Sequence, residues 1–142
     1  MKIRNSFRYF IYTLFMIVFT CGCGIGSDTS QNPLEGTSWD LLYYRKSSPI
    51  PGTSMDITFE DGAIQGSAGC NSFGGSYQVD GHSLSIGEIY ATEMYCMDPE
   101  GIMEQESFYL DFLRTTVRFQ LDGDLLVLHQ PGQETLTFER KN

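Results

Sequence analysis

The sequence predicts a mainly β fold: a small antiparallel β barrel-like or sandwich domain that carries one α-helix. Three observations lead there. Short runs of alternating apolar and polar residues recur at roughly 8–12-residue spacing, the habit of sandwiches and barrels. Asp61-Gly62, Asp80-Gly81 and Asp122-Gly123 stand between such runs, and Asp-Gly is among the strongest short hairpin signals. One stretch near residue 100 replaces the two-residue period with a helical one. A chain of 142 residues fits a single domain, and 41% hydrophobic content is enough for a core, which excludes general disorder.

The strands follow in order. Trp39–Tyr44 is strand-rich and is bounded by Ser47-Ser48-Pro49-Ile50-Pro51-Gly52. Met55–Phe59 alternates as a half-buried strand should, turns at Glu60-Asp61-Gly62, and returns through Ala63–Ala68. Ser76–Val79 runs into Asp80-Gly81 and comes back as Ser83–Ile86, with Ile89–Met94 as a further strand. Val117–Leu121 and Leu125–Leu128 flank Asp122-Gly123, and Thr135–Phe138 closes the chain after Gln130-Pro131-Gly132-Gln133. Asp98-Pro99-Glu100 supplies an N-cap, a proline at the first helical position and an early carboxylate. Glu104, Glu106 and a terminal Arg114 suit the helix dipole, while Tyr109, Phe112, Leu113 and Thr116 share one face beside Phe108. This helix is expected to plug or flank the sheet.

The N-terminus reads as a targeting segment. Lys2, Arg4 and Arg8 precede the apolar run Tyr9–Phe19, the layout of a secretory signal. Eleven residues rise only about 16 Å as a helix, against a hydrocarbon core of roughly 30 Å. An uncleaved anchor reaching Gly26 is the alternative. Thr20-Cys21-Gly22-Cys23-Gly24 resembles the lipobox of bacterial lipoproteins, with Cys23 the expected lipidation site and Cys21 the alternative. Residues 1–22 are then a lipoprotein signal peptide, 23–33 a flexible polar tether, and 34–139 the domain. An ordinary cleaved signal is the bland reading of the same run. Removing Lys2, Arg4 and Arg8 leaves 6 Lys+Arg against 18 Asp+Glu, so the net charge moves from −9 to −12. Such acidity argues against nucleic acid as a partner.

The densest motif is Gly66-Ser67-Ala68-Gly69-Cys70-Asn71-Ser72-Phe73-Gly74-Gly75-Ser76-Tyr77. A phosphate cradle would need a following helix and a basic residue, so a structural turn is the expectation. Gly66, Gly69, Asn71, Gly75 and Tyr77, followed by Thr92-Glu93-Met94-Tyr95-Cys96 and a helix rich in Glu and Phe, resemble the META domain family, which includes HslJ-type envelope proteins. Leu34-Glu35-Gly36-Thr37-Ser38-Trp39 and Gly123-Asp124-Leu125-Leu126-Val127-Leu128 match the usual ends of that family. The resemblance implies a small barrel-like fold with one helix, often exported and lipid-anchored. It links the chain loosely to envelope stress tolerance and implies no catalytic site.

Cys70 and Cys96 are left once the signal cysteines are set aside, and an exported chain meets an oxidising compartment. A disulfide between them is expected, with two buried free thiols as the alternative. A Cys70–His82 nucleophile pair is disfavoured, because His82 follows a hairpin tip. No zinc spacing is present, Asp122-x-Asp124 reads as a turn, and Glu104 and Glu106 do not face each other. Neither cofactor nor metal is expected. Trp39, Phe59, Tyr77, Tyr90, Phe108, Tyr109, Phe112, Phe119 and Phe138 mostly occupy core-like positions and should fill the interior. The functional expectation is a non-catalytic envelope lipoprotein held to the membrane by acyl chains, binding an unknown protein or giving structural support. The rival is a carrier of a small apolar ligand inside the barrel. An interaction protein predicts an exposed apolar patch over a solid interior, and a carrier predicts a continuous internal pocket.

Overall fold

The computed structural model describes residues 32–142. The chain forms β1 (Thr37–Tyr44), β2 (Ser54–Glu60), β3 (Ala63–Gly69), β4 (Ser72–Asp80), β5 (Ser83–Ala91), α1 (Ile102–Arg114), β6 (Arg118–Asp122), β7 (Leu125–His129) and β8 (Thr135–Arg140). Each strand pairs antiparallel with the next, and β8 pairs back onto β1, closing an eight-stranded barrel with one helix. The closure is thinnest between β5 and β6, which share the single register pair Ser83↔Arg118.

Eight strands enclose an interior just wide enough for side chains to fill. Trp39, Ile57, Phe59, Leu126, Leu128, Leu136 and Phe138 fill it and are fully buried. Burial of each large side chain stabilises by about 1.5–3 kcal/mol. At one end α1 adds Tyr109, Phe112 and Leu113 to this core. Tyr109 meets Phe73 edge-on with ring centroids 5.7 Å apart. At the other end Leu34 is fully buried, and the amide of Gly36 donates to the carbonyl of Phe59 at 2.8 Å. Phe108 lies at the rim against Tyr44, with the Arg45 guanidinium 4.0 Å over its ring.

Several expectations shift in detail. The Gly66–Tyr77 motif is mostly strand rather than turn, with only Cys70 and Asn71 between β3 and β4. The predicted strands 83–86 and 89–94 form one strand that stops at Ala91: the Thr92 amide still donates to the Ser72 carbonyl of β4 at 3.0 Å, but the Met94 amide turns to the Asn71 side chain instead of a neighbouring strand. In two hairpins the aspartate is the last strand residue, and the two-residue turns are Gly81-His82 and Gly123-Asp124. Gly81 and Gly123 both have φ of 59°, the positive value a primed turn needs at its first central position. The helix is entered from Gly101 at φ 84° with no side-chain cap, so Asp98 is not the N-cap. The chain must swing from Cys96 onto the helix axis within a few residues, and left-handed backbone at a glycine permits that swing. Thr116 lies beyond the helix end but is buried.

Tyr90 is the largest departure among the expected core aromatics, since it points to solvent. Gly75 faces Ile89 and Tyr77 faces Ile86, so two steps along β4 span three along β5. This extra residue is a bulge, and it reverses which side chains face inward. Leu84 is inward before it and Ile89 after it, which sends Tyr90 outward.

Two clefts of about 270 and 300 Å³ open to solvent near the β4–β5 hairpin. Val79 lines both, with Leu84 and Val117 in one and Phe119 and Leu121 in the other. They flank the place where β5 meets β6 at Ser83↔Arg118.

Candidate functional site

The β3–β4 connection carries a polar cluster that organises everything around it. Gly69 enters it at φ 115°, and its Cα lies beneath the first turn of α1, where a Cβ would stand 3.5 Å from Ile102 and 3.6 Å from Gln105. Asn71 follows and is 2% exposed. Its carboxamide behaves like a strand neighbour toward Met94: Oδ1 accepts from the Met94 amide at 2.7 Å, and Nδ2 donates to the Met94 carbonyl at 3.0 Å. Oδ1 also accepts from the Thr92 hydroxyl at 2.7 Å. One side chain thereby replaces a missing ladder for the segment after β5, as buried polar groups require.

Glu106 completes the cluster from the helix and is 6% exposed. Its carboxylate accepts from the Asn71 amide at 2.6 Å, from Asn71 Nδ2 at 2.7 Å and from the Cys70 amide at 3.2 Å. Three donors that would otherwise be orphaned are satisfied by one group. The Cys70–Cys96 disulfide, with Cα atoms 6.0 Å apart, ties the far end of the same segment. Thr92–Cys96 is therefore held at Asn71, at Glu106 through Asn71, and at Cys70. We refer to this arrangement as the latch.

The remaining motif residues support the neighbouring framework. Gly66 sits where a Cβ would approach the Asp56 carbonyl to 2.2 Å, so any side chain would push β2 away. That carbonyl accepts from the Tyr109 hydroxyl at 3.0 Å, and the Asp56 carboxylate accepts from the Ser67 amide at 2.9 Å and from Lys141 at 2.9 Å. The Asp56 contact holds the Lys141 ammonium above its ordinary pKa, with Asp40 adding to the effect. Gly75 lies opposite Ile89 at the β5 bulge. Tyr77 is at the opposite end of the barrel: its hydroxyl donates to Glu35 at 2.6 Å and accepts from Asn32 at 2.7 Å. Burial, and then the bond to Glu35, raise the Tyr77 phenol well above its usual range. The bond from Tyr77 lowers the exposed Glu35 carboxyl.

Outside the latch, the same segment presents apolar side chains to solvent. Tyr90 is 72% exposed, Met94 56%, Tyr95 79% and Met97 83%. The Tyr90 side chain lies over Gly74, where a Cβ would come within 2.5 Å of its hydroxyl. Exposed Glu88, Glu93, Asp98 and Glu100 border these residues in the chain. The salt bridges among the described residues involve other acids: Asp40, Asp56, Asp111, Asp124 and Glu134. From Ser47 to Leu113 the sequence has no Lys or Arg and eleven Asp+Glu.

The site therefore gathers Asn71, Thr92, Met94, Cys70 and Cys96, and leaves Gly66 and Tyr77 to the frame. Met94 contributes its backbone to the latch and its side chain to the surface. Cys70 and His82 stand at opposite ends of β4, and Cys70 is disulfide-bonded. Cys21 and Cys23 lie outside the described residues. Glu106 is the functional residue that sequence reasoning missed: it reads as a dipole-favouring acid near a helix start. Its signal is the Tyr109 and Leu113 stripe, because position 106 lies three and seven residues before them, on the buried face.

A closed eight-stranded meander with one helix inserted between β5 and β6, latched to the β3–β4 connection, defines the class. The META domain family model matches residues 32–142, and the chain belongs to the META domain family. A protein from Burkholderia xenovorans solved by NMR is similar, with 29% identity and a TM-score of 0.64 over 77% of this chain and 84% of that one. A second NMR structure shares the fold at 22% identity and a TM-score of 0.62, covering 75% of this chain and 90% of that one. A crystal structure of a DUF4847 family protein from Bacteroides vulgatus also shares it, at 18% identity and a TM-score of 0.56, over 80% of this chain and 97% of that one. No curated protein matches this sequence.

Proposed function

We propose that this chain is a lipid-anchored envelope protein whose META domain works by binding, without catalysis, through the surface of the Thr92–Met97 segment. One observation carries the reading: exposed Tyr90, Met94, Tyr95 and Met97 are displayed on backbone that a buried polar latch and a disulfide hold in place. Large apolar side chains exposed together along one segment suit an interaction surface. Preorganised backbone also lowers the entropy cost of docking. The anchor is assigned to Cys23, with Cys21 second, on the lipobox resemblance, and several acyl chains would hold the domain stably at a membrane. The link to envelope stress tolerance rests on family analogy alone. A carrier role draws support from the two solvent-open clefts beside Val79, while the filled barrel interior weighs against it.

Two experiments in intact cells test this. A photo-crosslinking amino acid at Tyr95 should yield a discrete adduct that Met97→Ser removes and that the same probe at exposed Gln78 does not give. Equal labelling from both positions would count against a binding surface at Tyr95. A fatty-acid label should appear on the wild-type chain and vanish in Cys23→Ser. A label that survives Cys23→Ser and Cys21→Ser together would refute the anchor.

A further inference from the structure

We propose that the Tyr90–Met97 surface docks a cationic amphipathic polypeptide segment, one that presents apolar side chains flanked by Lys or Arg. The inference rests on the reading of this surface as a binding site and adds the chemistry of its partner. Two properties meet here. The first is apolar and adaptable: two tyrosine rings and two methionines, Tyr90, Met94, Tyr95 and Met97, exposed and close together in the chain. Methionine reshapes itself to irregular apolar partners, and tyrosine offers a rigid ring with a polar tip. The second is charge. Glu88, Glu93, Asp98 and Glu100 are exposed, lie within a few residues of those side chains, and take no part in the salt bridges of the described residues.

A lysine or arginine side chain suits both properties at once. Its stem can lie along the methionines while its head reaches a carboxylate or the face of Tyr90 or Tyr95. The asymmetry extends beyond the patch, since residues 47–113 supply eleven acids and no Lys or Arg, and among the described residues only Asp56 and Asp111 of these acids are in salt bridges, with Lys141 and Arg114. Such a field steers a cationic partner inward and repels an anionic one. The same charge disfavours the other occupants. A second copy of this chain would bring like carboxylates together, and an anionic lipid surface would repel them.

The test uses the oxidised mature chain and three labelled synthetic 14-residue peptides: an amphipathic Lys/Leu helix, its Glu/Leu counterpart, and a Lys/Ser peptide with charge but no apolar face. Anisotropy titrations should show the Lys/Leu peptide binding at least about tenfold tighter than either control, with affinity falling as salt rises. Tyr95→Ser with Met97→Ser should weaken it at least about tenfold without changing net charge. Glu88→Gln, Glu93→Gln and Glu100→Gln together should weaken it about fivefold or more and flatten the salt dependence. The matched change of Glu60, Asp61 and Asp80 to amides, away from the patch, should alter it less than about twofold.

Equal binding of Lys/Leu and Glu/Leu peptides, lost in the Tyr95/Met97 variant, would overturn the cationic partner and leave the surface itself intact as a binding site. Lys/Leu binding that ignores Tyr95 and Met97 would overturn the proposal. So would self-association through these two residues in sedimentation, or no binding to any of the peptides. In that last case the crosslink at Tyr95 still judges the binding surface on its own.

Discussion

The closing meander β6–β8 and the latched segment Thr92–Cys96 are ordered by different physics. In the meander, backbone ladders and strict alternation do the work: Phe119, Leu126, Leu128, Leu136 and Phe138 turn inward, and two-residue or short turns set the register. In the latch the ladder ends at the Thr92 amide, which donates to the Ser72 carbonyl, and beyond it a handful of side chains hold the segment from a distance in sequence. Asn71 reaches Met94 across 23 residues and Glu106 across 35. The lesson is that barrel packing supports the whole molecule, while the latch adds stability and also sets the shape of one surface. A change in the first should unfold the molecule; a change in the second should loosen the displayed surface before the barrel fails.

Perturbations of the two regions sharpen that contrast. Phe138→Ala empties a fully buried position and should cost about 3–5 kcal/mol in urea unfolding, with the displayed segment lost only as the whole barrel melts. A loss below about 1 kcal/mol would mean that the barrel does not depend on interior packing at this site. Replacing Cys70 and Cys96 together by serine opens a loop with a sequence separation of 26 and should cost about 3.5 kcal/mol in the chain-entropy model. A variant as stable as the oxidised chain would show that the disulfide contributes nothing to stability. Glu106→Ala strands three donors and should cost about 2–3 kcal/mol. Its effect should concentrate in amide exchange between Thr92 and Cys96, and a uniform loss of protection would contradict a local latch.

Smaller effects are expected at the other end and in the meander itself. Tyr77→Phe removes a hydroxyl that joins Asn32 and Glu35 and should cost about 1 kcal/mol, read from the urea midpoint. A neutral result would assign Tyr77 to packing against Phe59 alone, their rings meeting edge-on at 5.0 Å. His129 on β7 has a buried Nε2 with no hydrogen-bond partner among the described residues, and burial, then the Arg118 charge, lower its pKa. Lowering means that the unfolded chain binds the proton more readily. The His129 contribution is therefore complete above about pH 6.5 and fades as pH falls toward the lower folded value. His129→Leu should remove that part of the slope between pH 7 and 5, measured against wild type to cancel the carboxylates. An unchanged slope would exclude His129 as its source.

How much of this was legible in the sequence follows the same division. The meander could be read residue by residue, because alternation and turn chemistry are local signals. The helix and its buried Tyr109, Phe112 and Leu113 were legible for the same reason, whereas alternation left barrel and sandwich both open, because the β1–β8 pairing that closes the barrel joins segments about a hundred residues apart (Trp39↔Arg140). The β5 bulge was not, since one extra residue between Ile86 and Ile89 leaves no compositional mark and yet sends Tyr90 outward. Nor was the helix start, where Asp98-Pro99 carries every local capping signal and the chain instead turns at Gly101. At the site, the motif residues Asn71, Thr92 and Met94 were singled out without a role. Their role is a set of bonds between distant segments, which no local window contains. Glu106 was hidden by a competing explanation, the helix dipole, that suits any acid near a helix start.

The Met94 amide is the sharpest probe of the latch, because its partner is a single side-chain atom, Asn71 Oδ1, at 2.7 Å. Hydrogen exchange at that amide should be slow in the oxidised wild-type chain. In Asn71→Ala it should speed up by about tenfold or more, while the Leu126 and Phe138 amides change far less. A Met94 amide that exchanges at the free-chain rate in the wild type, or that ignores the loss of Asn71, would contradict the latch.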